Sequence, residues 1–150
     1  MKKAVTYTFF IIASIQLAYT QVKVIKIEIK GDTYNVCREC LSGFPQDLFG
    51  TYKYEGKGEP LVVLNPDFKG QFQTHGMPAN DIEFWFDCDS VGNVTKKPWV
   101  SGGFQYAMLV HYLKPREGYS SDYDIFEVTT RPDLGEIQVL RERTKPHNPQ

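Results

Sequence analysis

Ile82-Glu83-Phe84-Trp85-Phe86-Asp87-Cys88 sets Ile82, Phe84, Phe86 and Cys88 on one side and Glu83, Trp85 and Asp87 on the other. A period of two is that of a half-buried β-strand. Downstream, Phe104, Tyr106, Met108, Val110 and Tyr112 alternate with Gln105, Ala107, Leu109, His111 and Leu113. Gly102-Gly103, Pro115 and the aromatic content favour a strand over a helix there. Both of its sides are apolar from Ala107 onward, so the strand is expected to be covered on both faces. Upstream, Ile25, Ile27 and Ile29 alternate with Lys26, Glu28 and Lys30. Gly31-Asp32 is a turn signal, and a two-residue loop there pairs Ile29 with Tyr34 and Ile27 with Val36. The reading is an N-terminal hairpin over residues 22–37.

The rest of the chain follows the same pattern. Leu41 to Leu48 holds Ser42, Gly43, Pro45 and Asp47 and reads as a loop or a single short helical turn. Tyr52 and Tyr54 share one face of a strand with Thr51, Lys53 and Glu55 on the other. Leu61–Leu64 is a short apolar strand turned by Asn65-Pro66-Asp67. Ser90–Asn93 is a turn, Val94–Trp99 a short strand, and Tyr123–Val128 with Glu136–Arg143 flank a final turn at Pro132–Gly135. About eight strands from Gly50 to Arg143, joined by short turns, predict an all-β antiparallel up-and-down barrel or strongly curled sheet. An open sandwich is the other way to bury one face per strand.

Residues 1–20 have the layout of a secretory signal peptide: basic Met1-Lys2-Lys3, the apolar centre Phe9-Phe10-Ile11-Ile12-Ala13, and small Ala18 and Thr20 at the exit. Cleavage then falls between Thr20 and Gln21, and a retained N-terminal anchor is the alternative. Ser14 and Gln16 break the apolar run, so no stable membrane span is expected after cleavage, a span needing roughly 20 mainly apolar residues. The first cysteine is Cys37, too far along for a bacterial lipid anchor. Secretion or a periplasmic location follows as the expectation. Residues 21–150 then form one domain, with residues 144–150 a frayed tail. The formal charge is −1, and −3 once Lys2 and Lys3 are removed, with no basic stripe. That offers no electrostatic case for nucleic acid.

Cys37, Cys40 and Cys88 are an odd set for an oxidising compartment. Cys37-Arg38-Glu39-Cys40 has the spacing of redox motifs, but the βαβ context of a thioredoxin site is absent. A structural disulfide or inert thiols, and a redox dithiol, both remain open. Zinc would need further ligands, and His75, His111 and Cys88 are not paired at ligand spacing. No metal and no cofactor are expected. His111 reads as a core histidine, and no hydrolase, phosphate-loop or dinucleotide motif occurs. Asp87-Cys88-Asp89-Ser90-Val91-Gly92 begins like a calcium loop, but Val91 and Pro98 stand where oxygen ligands are needed. Asn93-Val94-Thr95 is an N-glycosylation sequon, and Asp89-Ser90-Val91 resembles an O-glycan acceptor triplet of some Bacteroidetes.

Phe44-Pro45-Gln46-Asp47-Leu48-Phe49-Gly50-Thr51-Tyr52 resembles the start of the first strand in small secreted lipocalin-like domains, with Tyr52 in place of the family's Trp. Leu64-Asn65-Pro66-Asp67-Phe68-Lys69-Gly70-Gln71-Phe72 is similar to a hairpin of the same family, with an insertion before the glycine. The resemblance spans about residues 44–143. It implies a calyx, an Arg late in the last strand (Arg141 or Arg143) packed across Tyr52, and a small apolar ligand as cargo. Phe72, Phe84, Phe86, Tyr106 and Met108 are the inward candidates, either lining such a pocket or forming a packed core. Trp85 on the outer face is a plausible anchor for a protein partner. The alternative is that the N-terminal hairpin covers it together with Leu109 and Leu113. The expectation is an exported, non-enzymatic binding protein for a small apolar molecule. A filled barrel acting as an interaction or inhibitor module, and a redox-active dithiol domain using Cys37 and Cys40, are the alternatives.

Overall fold

β6 (Asn80–Asp87), β8 (Phe104–Tyr112) and β9 (Tyr123–Arg131) form the centre of the sheet. The computed structural model describes residues 22–45, 47–54, 60–118 and 120–140. Residues 1–20, Arg141, Arg143 and the tail 144–150 lie outside the described residues, and with them the expected signal peptide and the late arginines. The remaining strands are β1 (Ile25–Ile29), β2 (Asp32–Cys37), β3 (Gly50–Lys53), β4 (Pro60–Leu64), β5 (Lys69–Phe72), β7 (Lys96–Pro98) and β10 (Glu136–Val139). The sheet order is β10-β9-β8-β6-β5-β4-β3, antiparallel throughout, so seven strands follow the chain around a nearly closed barrel.

Cross-strand pairing places the rings. Ile82↔Tyr112, Phe84↔Val110 and Phe86↔Met108 pair inward between β6 and β8, and Met108↔Phe126 continues the layer into β9. Such directly opposed apolar pairs stabilise a sheet by roughly 0.2–1 kcal/mol each. Phe84, Phe86 and Met108 are fully buried, with Phe44 against Phe86 at 5.1 Å and Phe68 against Phe84 at 5.6 Å between ring centroids. Gly70 is required in β5 because a Cβ there would fall on the Val63 carbonyl oxygen of the neighbouring strand.

β7 pairs with Phe104–Tyr106 of β8, along the edge that β6 occupies further on. The other edge of β6 is shared as well: β5 takes Asn80–Glu83, and β2 takes Phe86 and Asp87. The N-terminal hairpin thus joins the sheet where β5 leaves it. Its side chains Ile25, Ile27, Ile29, Tyr34 and Val36 pack on Trp85, Leu109 and Tyr123, a second cluster outside the barrel. β8 is covered on both faces for this reason, with Leu109 fully buried on the outer one. Leu113 differs from expectation: it lies past the end of the strand and is 47% exposed.

The hairpin register is shifted by two residues from the sequence reading. Ile29 pairs with Asp32, Ile27 with Tyr34 and Ile25 with Val36. Lys30 and Gly31 form the turn, with φ of 52° and 90°. Positive φ at both central positions is the type I′ turn that suits the right-handed strand twist, and it wants glycine second rather than first. A shift of two keeps every side chain on its expected face. β9 runs on to Arg131, β7 is shorter than residues 94–99, and Leu140 leaves β10 in a turn with φ of 58°.

Candidate functional site

The five side chains expected inside the barrel divide into two groups. Phe84, Phe86, Met108 and Tyr106 belong to the buried core. Phe84, Phe86 and Met108 have no exposed surface, and Tyr106 is 5% exposed. Phe72 is half-buried near one end, touching Phe126 at 5.0 Å and Tyr112 at 5.9 Å. These three rings, with Met77 and Leu140, line a cavity of about 550 Å³ whose polar side carries Arg116 and Asp124. The Arg116 guanidinium lies 3.7 Å over the Tyr112 ring and 3.6 Å from the Asp124 carboxylate. Tyr52 is fully buried, and its hydroxyl donates to the Leu48 carbonyl at 2.6 Å. Burial holds that phenol well above its ordinary pKa.

An open groove of about 970 Å³ lies on the outer face where β5 and β2 diverge from β6. Glu83 and Trp85 share one face of β6, two residues apart. Arg38 follows the last residue of β2 and, by continuation of the β2–β6 register, faces Trp85. Its guanidinium sits 4.3 Å over the indole and donates from Nη2 to Glu83 Oε2 at 2.8 Å. Both partners of this ion pair are roughly one-third exposed, so the pair contributes no more than about 1 kcal/mol, with a similar amount from the cation–π contact. Leu41 and Phe68 supply apolar wall, and Lys23, Glu39 and Asp67 supply charge of both signs.

Cys37 and Cys40 are joined by a disulfide with Cα atoms 5.5 Å apart. Cys37 is fully buried and Cys40 is half-buried on the groove wall, so the bond fixes the backbone that carries Arg38. Cys88 is a buried free thiol whose pKa is pushed up to about 11, first by burial and then by Asp87 and Asp89. Such a thiol is a poor nucleophile at neutral pH. His111 lies on the outer face, stacked on Tyr123 at 4.6 Å, and is half-buried. Among the described residues no three His, Cys, Asp or Glu side chains gather as metal ligands would.

The groove therefore brings together Trp85 and the Cys37–Cys40 segment, which the sequence separates by more than forty positions. No family model, curated protein or solved structure matches this chain. Arg38 and Glu83 were not anticipated from sequence. Arg38 lies inside the C-x-x-C motif, but its partner is defined only by the pairing of β2 with β6, a long-range contact that no local pattern announces.

Proposed function

We propose that this is an exported, non-enzymatic binding protein. Its barrel is a scaffold filled by its own rings, and it recognises a protein partner at the groove beside Trp85. The observation that carries this reading is the groove itself. It is an open concavity of about 970 Å³ with an indole, a partly exposed guanidinium stacked on it, and apolar and charged walls side by side. Trp and Arg are the side chains most often found to dominate protein–protein affinity. Residues 1–20, with their signal-peptide layout, support the exported address.

A second reading, carriage of a small apolar ligand, is favoured by the cavity of about 550 Å³ beside Phe72, Tyr112 and Phe126. Its size lies within the usual range for small-molecule sites, roughly 300–1,000 Å³. One experiment separates the two. Peptides are selected from a displayed library on the full-length protein, and their affinities are measured for Trp85→Ala, Arg38→Ala and Phe72→Ala variants. The groove reading expects a tenfold or greater loss of affinity with the first two and no change with the third. Binders indifferent to both Trp85→Ala and Arg38→Ala would sink it. A small-molecule adduct in native mass spectra that is lost with Phe72→Ala would move the function to the cavity.

A further inference from the structure

The segment from Cys88 to Thr95 carries two neighbouring modification motifs that the proposed binding function does not use: Asp89-Ser90-Val91 and the sequon Asn93-Val94-Thr95. The fold presents them differently. Asn93 is engaged at both ends of its amide: Nδ2 donates to Asp89 Oδ2 at 2.9 Å, and Oδ1 accepts from Ser42 Oγ at 2.7 Å. Val94 is buried in the core, and its N–H donates to the Ser42 carbonyl at 2.9 Å. A transferase acting on the folded chain would have to break these bonds and lift Val94 out. Ser90 and Val91 stand exposed at the tip, and Val91, at 60% exposure, fills no part of the core. The Asp89 carboxylate accepts from the N–H groups of Val91 and Asn93 at 3.0 and 2.9 Å, bracing the turn on both sides of the serine.

We propose that Ser90 is an O-glycosylation site of the folded, exported protein, and that Asn93 is not a glycan acceptor in that state. In the transfer, Ser90 Oγ bonds to the anomeric carbon of a sugar. The bond from that carbon to the phosphate of a lipid- or nucleoside-diphosphate donor breaks, the diphosphate leaves, and the serine proton passes to a base of the transferase. Leu41, on the wall of the groove, donates its N–H to Gly92 of the same turn at 2.9 Å. The glycan would therefore stand beside the groove's rim.

The test produces the full chain in an exporting Bacteroidetes host, together with a reporter whose exposed Asp-Ser-Val triplet that host modifies. The expected result is an intact mass above the polypeptide value by whole sugar residues, with the increment on the peptide containing Ser90. It disappears in Ser90→Ala, and it persists in Ser90→Thr and Asn93→Gln. A bare polypeptide mass beside a modified reporter overturns the proposal, as does an increment that survives Ser90→Ala. Groove affinity is measured separately on Ser90→Ala protein, so the two proposals fail independently.

Discussion

The Asp89 carboxylate accepts three hydrogen bonds inside one turn, from the backbone N–H groups of Val91 and Asn93 and from Asn93 Nδ2. These bonds, the Asn93 side chain's first among them, hold its pKa below the ordinary aspartate value. A folded-state pKa below the unfolded one contributes stability that is present above the unfolded value and is lost as pH falls through the folded one. The melting temperature of the wild type should therefore exceed that of Asp89→Asn at pH 6, and the gap should close as pH is lowered below the usual carboxylate range. Thermal melts at several pH values check this, and a gap that stays constant with pH counts against it. The turn at Ser90–Asn93 was legible from its residue types alone. The double engagement of Asn93 was not, because Ser42 comes from a distant segment.

At the scale of elements, the N-terminal hairpin is held by apolar contact more than by pairing. The pairing of β2 with β6 is short, at Val36↔Asp87 and Cys37↔Phe86 with a further bond from the Cys88 N–H to the Asn35 carbonyl at 2.8 Å, whereas Ile29, Val36 and Leu109 are buried between the hairpin and the outer face of β8. Ile29→Ala should cost about 2 kcal/mol, the low end for such truncations because a hairpin lying on a surface can settle into the space. Urea unfolding measures the loss, and red-shifted Trp85 emission in a Trp99→Phe background would report the loosened cover. An unchanged midpoint would mean that the hairpin contributes nothing to the fold. The alternation of Ile25, Ile27 and Ile29 made the hairpin and its buried face readable. Its register slipped by two because the composition of the turn fits Gly31 in either central position.

At the scale of the molecule, stability rests on the ring-filled core, and the Cys37–Cys40 disulfide closes only a very short loop at its margin. Loop-closure entropy for so short a span is worth about 2 kcal/mol at most. Reduction with dithiothreitol should lower the urea midpoint modestly and leave the far-ultraviolet circular dichroism of the β fold in place. Cys88 should stay unalkylated until denaturant is added, since burial both hides it and suppresses its thiolate. Outright unfolding on reduction would show the disulfide to be a main support of the structure. By itself the sequence determined the all-β class, the run of antiparallel strands, the added hairpin and the inward set Phe84, Phe86, Tyr106 and Met108. All of these follow from a period of two and from turn chemistry, which act between near neighbours. Only the tertiary structure decided that Arg38 lies over Trp85 and that the two line a groove with Phe68. Both depend on how β2, β5 and β6 share an edge, a long-range pairing that residues adjacent in sequence do not encode.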